Sequence, residues 1–176
     1  MIRKLLPISI ALTLLLAGCA MMQSIVKSTF PYTTTLTIPQ GSAPGDELTA
    51  TGMATSYDQN FSKSGDDGDR VSEVRIVSAK LRSTDPSDFN IGNIISVRFY
   101  MSMPDGSDEV LVASRGDITP MVGNSIVLDI DNSSFLDKLV RMPNVKIRMV
   151  YKLRNKVNVD ANLRLVLGIS AYPNNN

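Results

Sequence analysis

Along most of the chain, apolar and polar residues alternate with a period of two, the pattern of a strand with one face buried and one in water. The pattern is cleanest near the C-terminus. Val145, Ile147, Met149, Tyr151 and Leu153 alternate there with Lys146, Arg148, Lys152 and Arg154, and Val159, Ala161, Leu163, Leu165, Leu167, Ile169 and Ala171 then keep the same phase. Earlier runs read the same way. Tyr32 to Ile38 is rich in β-branched and aromatic residues, and Glu47 to Tyr57 alternates threonine with apolar or small side chains, a composition that suits a half-exposed pleated surface.

Turn chemistry divides these runs. Pro39 and the segment from Gln40 to Gly45 close the first strand, and Asp58 to Arg70 is polar, acidic and glycine-bearing, hence a loop. Val71 to Val77 is ambiguous between a strand and a short helix; Ser78 to Ser83 reads as a strand ending at Asp85-Pro86. Asp88 or Asn90 can cap a brief helical turn through Ile91 to Ile94, followed by a strand from Ile95 to Met103. Pro104-Asp105-Gly106-Ser107 is the best hairpin signal, because Asp-Gly supplies positive φ at little cost, and Glu109 to Ser114 returns from it. Ser125 to Ile130 is expected as one strand. The cluster from Asp131 to Ser134 then suits a helix cap, and Phe135, Leu136, Leu139 and Val140 predict a two-turn helix ended by Pro143.

About eight short strands with one or two short helices, and no long amphipathic helices between them, predict an all-β fold: an antiparallel β-sandwich or a jelly-roll-like barrel. The expected organisation is a signal segment over 1–18, a tether over 19–31, one β-sandwich domain over 32–172 and a polar tail over 173–176.

The signal segment carries Arg3-Lys4, an apolar run from Leu5 to Ala17 interrupted by Pro7, and small residues at its end. This is the build of a secretory signal, and the run is shorter than the roughly 20 apolar residues that cross a bilayer. It ends in Leu16-Ala17-Gly18-Cys19, which contains the chain's single cysteine. The order resembles the bacterial lipobox. That resemblance covers residues 1 to 19 and implies cleavage before Cys19, diacylglycerol on its thiol and a fatty acyl group, palmitate or similar, on its new amine. Such a modification attaches the chain to membrane lipid, since each buried methylene adds about 0.8 kcal/mol. Ala20 in place of an acid implies the outer membrane, and the absence of acids in Ala20 to Ser24 makes a periplasm-facing position the default, with the cell surface as the alternative.

Composition narrows the chemistry. There is no histidine, so the commonest general base and transition-metal ligand are both missing. With one cysteine no internal disulfide can form. From residue 19 onward the chain carries 16 basic and 17 acidic residues, a net charge of −1, which gives no global attraction to nucleic acid. The charge is nonetheless uneven: residues 19–131 hold 8 basic and 15 acidic side chains, and residues 132–176 hold 8 basic and 2 acidic.

Two segments are candidate binding sites. Asp58, Asn60, Ser62, Ser64, Asp66 and Asp69 fall at the oxygen-donor positions of a twelve-residue calcium loop. Lys63 stands where such a loop needs glycine and Asp69 where it needs a bidentate Glu, so a solvated hairpin loop is the simpler reading and no metal is expected. Lys146, Arg148, Lys152 and Arg154 form a possible basic contact face, which is also how a strand stays soluble.

No catalytic residues are assigned. A serine nucleophile would need a lysine base in no recognisable motif, and paired carboxylates such as Asp129 and Asp131 are more economically turn and edge residues. The expectation is a non-enzymatic, cofactor-free envelope lipoprotein, an accessory or scaffold that binds a protein partner, of unknown oligomeric state. A glycan- or cell-wall-binding module is the alternative, with Tyr57, Phe61 and Tyr172 as the aromatics to watch, and a surface or appendage subunit is a further one. Metabolic labelling with a palmitate analogue should mark the chain, and Cys19→Ser should abolish the label; an unlabelled wild-type chain would refute the anchor.

Overall fold

A computed structural model describes residues 28–55, 71–142 and 144–173. They form the strands β1 (Ser28–Ile38), β2 (Leu48–Thr55), β3 (Val71–Asp85), β4 (Ile94–Ser102), β5 (Val110–Arg115), β6 (Ser125–Val127), β7 (Asp129–Ile130), β8 (Asn144–Leu153) and β9 (Ala161–Pro173). A 3-10 turn, Ile91–Asn93, precedes β4, and a one-turn helix, α1 (Asp137–Val140), precedes β8. The strands make two antiparallel sheets, one of four strands in the order β1-β9-β3-β6 and one of five in the order β2-β8-β4-β5-β7. The all-β sandwich expected from the alternation is the observed fold.

The two clearest sequence patterns supply the two central layers. Leu163, Leu165, Leu167 and Ile169 of β9 and Ile147, Met149, Tyr151 and Leu153 of β8 are all buried in one core with Val97, Phe99 and Met101 of β4. Each such side chain, taken fully out of water, contributes about 1.5–3 kcal/mol. With no disulfide available, this burial is what holds the sheets together.

β3 resolves the ambiguous segment as strand, and its irregularity explains the ambiguity. Register shifts fall at Ser72/Arg75, Ile76/Ser78 and Ser83/Asp85. The middle one inserts Val77, so the buried set changes from Val74 and Ile76 to Ala79, Leu81 and Ser83. A bulge of one residue inverts the phase of every later side chain, and a strict period of two is broken without any helix.

Three further boundaries differ from expectation. β1 begins at Ser28, so the last residues read as tether run in the sheet, Pro31 opposite Gly168. The predicted strand from Ser125 to Ile130 is two: β6 pairs with β3 in one sheet and β7 with β5 in the other. The predicted two-turn helix is a single turn, because Asn132 does not cap it. Its side chain instead brackets the peptide of Ile76, accepting from Ile76 N at 3.1 Å and donating to Ile76 O at 3.0 Å. The hairpin and the 3-10 turn match their signals, with Gly106 at φ +92° and Asn90 Oδ1 accepting from Gly92 N at 2.9 Å.

Both sides of the sandwich are closed by chain that belongs to both sheets. On one side the edge strands β1 and β2 press together: Thr34, 6% exposed, donates from Oγ1 to Met53 O at 3.1 Å. Gly52 makes room for this, since a Cβ there would stand 2.7 Å from Thr34 Oγ1 and 2.9 Å from Thr35 O. On the other side, the buried Leu128 lies between β6 and β7. Leu128 N donates to Ala79 O of the four-stranded sheet at 2.9 Å, and Asp131 N donates to Val112 O of the five-stranded sheet at 3.1 Å. Gly52→Ala should therefore lower stability by about 1–3 kcal/mol through overpacking, read as a lower urea midpoint at unchanged slope; an unchanged midpoint would mean that the two edges are not in close contact.

Candidate functional site

At the end of the sandwich where β1 starts, three local structures converge. The first is the β4–β5 hairpin, where Gly106 N donates to Met103 O and Met103 N to Ser107 O, both at 2.9 Å. Asp105 Oδ1 accepts from the Ser107 backbone N at 2.9 Å and its hydroxyl at 2.7 Å. Those two bonds hold the Asp105 carboxyl below the usual carboxylate range. Asp108 follows at φ +52°, a left-handed conformation that directs the chain into β5.

The second is the bulged start of β3, where Glu73 also lies at φ +52°. The third is the segment leading into α1. Asp131 Oδ1 accepts from Ser133 N at 2.9 Å, and Ser133 keeps the Asp131 carboxyl low. Arg75 donates to Asn132 O at 3.0 Å and lies 4.1 Å over the Phe135 ring, and Leu136 N donates to Val74 O at 3.0 Å. Asp137 Oδ2 accepts from Val74 N at 3.3 Å. The segment thus continues along β3 as an extra edge, with side chains supplying part of the ladder.

Together these pieces line an open groove of about 670 Å³. Val110, Phe135 and Leu139 give it an apolar lining, and Glu73, Asp108, Glu109 and Asp137 surround this with carboxylates, joined by Lys138. Phe135 is 52% exposed, an aromatic ring left facing solvent inside an acidic rim. Lys138 reaches Asp108 at 3.7 Å between two exposed side chains, a pair of little energetic weight. Glu109 is gripped more firmly: Arg148 donates from Nε to Oε1 at 2.8 Å and from Nη2 to Oε2 at 2.5 Å. The same guanidinium lies 4.4 Å over Tyr100. The hydrogen bond from Arg148 holds the Glu109 carboxyl below its ordinary value.

The sequence-derived candidates are distributed differently. Lys146, Arg148 and Lys152 lie on the outer face of β8, but Arg148 is matched by Glu109. Arg154, just beyond the strand, is used internally, donating to Gly92 O at 3.2 Å and Ile118 O at 2.9 Å. Asp129 and Asp131 have separate partners, Arg115 at 3.1 Å and Ser133. Cys19, the loop from Asp58 to Asp69, Tyr57, Phe61 and the Tyr172 side chain lie outside the described residues. Among the described residues no group of three or more His, Cys, Asp or Glu side chains could hold a metal ion. The groove itself was not legible beforehand: its hairpin and its capping cluster each left a signal, but nothing in the sequence says that they meet.

No protein-family model matches the chain, and no curated protein matches it either.

The Glu109–Arg148 pair gives a pH signature. Because the folded carboxyl titrates below its unfolded value of 4.5, the pair contributes in full above that pH and its contribution drains as pH falls through the folded pKa. Glu109→Gln should lower the urea midpoint at neutral pH, and the gap from wild type should narrow steadily below pH 4.5. A gap of constant size down to the acid limit would show that the ion pair adds nothing to stability.

Proposed function

We propose that the chain is a lipoprotein of the outer membrane, attached through diacylglycerol and acyl chains on Cys19, and that it serves as a non-catalytic scaffold binding a protein partner of the cell envelope. The observation that carries the reading is the groove: an apolar lining with an exposed phenyl ring, rimmed by carboxylates and built on a rigid sandwich. A basic, amphipathic protein segment has the complementary chemistry, an aliphatic or aromatic anchor for Phe135 and cations for the rim.

Its position fits a tethered scaffold. Ser28 pairs with Ala171, and Ser72, which lines the groove, pairs with Tyr172, so the groove lies at the end where the chain leaves towards Cys19. Eight residues lie between Cys19 and Ser28, a reach of at most ~30 Å when extended. The carboxylates support binding rather than proton transfer. A general acid needs a raised pKa, whereas the Arg148 hydrogen bond holds Glu109 low, Asp137 receives Val74 N and Asp108 faces Lys138.

The alternatives draw less support. A glycan platform needs several exposed rings, yet among the described residues Tyr32, Phe99 and Tyr151 are in the core, Tyr100 lies beneath Arg148, and the exposed Phe135 ring has Arg75 over one face. An appendage subunit that grows by strand addition needs open edges, and here β1 and β2 close on each other while β6 and β7 are 3 and 2 residues long.

A photo-crosslinking residue in place of Phe135 should capture one stoichiometric envelope protein from intact cells. Phe135→Asp should abolish copurification of that protein while leaving the thermal midpoint within a few degrees of wild type. Unchanged copurification with Phe135→Asp would overturn the groove as the docking site.

A further inference from the structure

The outer face of the four-stranded sheet carries an arrangement of charge that the fold itself disfavours. Its register places Thr35 opposite Arg164, Arg164 opposite Arg82, and Arg82 opposite Ser125, one row across all four strands. The next row is Thr33, Val166, Lys80 and Val127. Two arginines are therefore direct cross-strand neighbours with a lysine one row away, all three exposed. Strands lie ~4.8 Å apart, and like charges set opposite each other destabilise a sheet.

On the other sheet the arginines are matched with carboxylates. Arg98 is paired with Glu47 at 2.8 Å, Arg148 with Glu109 and Arg115 with Asp129. Among the described residues nothing pairs with Lys80, Arg82 or Arg164. The bordering carboxylate, Asp85, is instead in contact with Asn162 Nδ2 at 3.5 Å. The hydroxyls of Thr33, Thr35 and Ser125 add hydrogen-bonding capacity to the same two rows. Val127, 70% exposed, and Val77, 41% exposed, add aliphatic surface along β6 and β3.

We infer that this face, centred on Lys80, Arg82 and Arg164, docks flat on the anionic phospholipid headgroups of the membrane. The inference rests on the membrane-tethered reading above. Phosphates between the guanidinium groups would supply the missing counter-charge, with Arg forks well suited to phosphate oxygens and each cation adding to the attraction of an anionic leaflet. The bilayer fits better than a polymer chain, because the two rows form a pleated plane edged by aliphatic side chains. Docked this way, β1 lies against the lipid as the chain runs towards Cys19, and the five-stranded sheet faces away.

The test uses the full lipidated chain reconstituted in vesicles of phosphatidylcholine alone or with about a third phosphatidylglycerol. Flotation with both kinds of vesicle reports the tether. Acetylation of single lysines, followed by mass spectrometry, reports the face. Lys80 should react several-fold more slowly on the anionic vesicles while Lys152, on the opposite sheet, reacts equally on both, and high salt should remove the difference, since charge is screened within ~10 Å. Arg82→Gln with Arg164→Gln should erase the protection while the thermal midpoint stays the same or rises, because the repulsion is gone. A floating chain whose Lys80 reacts equally on both vesicles overturns the docking and leaves the tether intact; failure to float on phosphatidylcholine overturns the tether. Protection of Lys80 by soluble dextran sulfate but not by anionic vesicles would overturn the membrane as the occupant.

Discussion

The approach of β1 to β2 at Gly52 is the constraint on which the rest of the sandwich depends. Two sheets stacked face to face bury a core, but they also leave edges whose unpaired peptides invite other chains. Here the first two strands belong to different sheets and meet side by side, close enough that no Cβ fits at residue 52. The buried Thr34 hydroxyl bonds across the seam to Met53. At the far side a single residue, Leu128, carries the chain from one sheet to the other. The result is a sandwich whose two sheets are joined at both sides, by the β1–β2 contact and by the crossing at Leu128.

That closure also explains what the ends look like. Once β7 has crossed to the five-stranded sheet, the outer edge of β3 beyond β6 needs another neighbour. The segment from Asp131 to Asp137 supplies it partly with side chains: Asn132 brackets Ile76, the Asp137 carboxylate receives Val74 N, and Leu136 N donates to Val74 O. The helix that follows is short because the residues before it are committed to β3. Phe135 is pushed outward by the same commitment, and an aromatic ring that helical periodicity would have buried lines the groove instead.

How much of this was legible follows from the range over which each signal acts. β8 and β9 could be read residue by residue, because central strands with one buried face keep a strict period of two. The Asp105-Gly106 hairpin and the Asn90 cap were legible for the same local reason. β3 is blurred because its bulge at Val77 moves the inward phase from even to odd positions, and Ser125 to Ile130 reads as one strand because a change of sheet leaves no mark on the alternation. The candidate site depended on long-range register. Lys146, Arg148, Lys152 and Arg154 form an obvious stripe in the sequence, yet only the fold shows that Glu109, 39 residues from Arg148, neutralises one member and that Arg154 is spent on the carbonyls of Gly92 and Ile118.

The same reasoning redistributes the charge of the molecule. The basic excess from Asn132 onward suggests a cationic C-terminal part, but strand order interleaves β8 and β9 with strands from the acidic part, so charges distant in the sequence become neighbours in each sheet. On the five-stranded sheet, cations meet Glu47, Glu109 and Asp129 within hydrogen-bonding distance. On the four-stranded sheet, Arg164 faces Arg82, and those residues are 82 positions apart in the sequence. A local scan of charge misses such a pair because the two arginines lie in strands far apart in the sequence, Arg82 between Leu81 and Ser83 and Arg164 between Leu163 and Leu165. An antiparallel register, set by burial of Leu81, Leu163 and Leu165 on the inner face, forces the two guanidinium groups to share the outer one, so the requirement of the core creates the charged surface that its surroundings must satisfy.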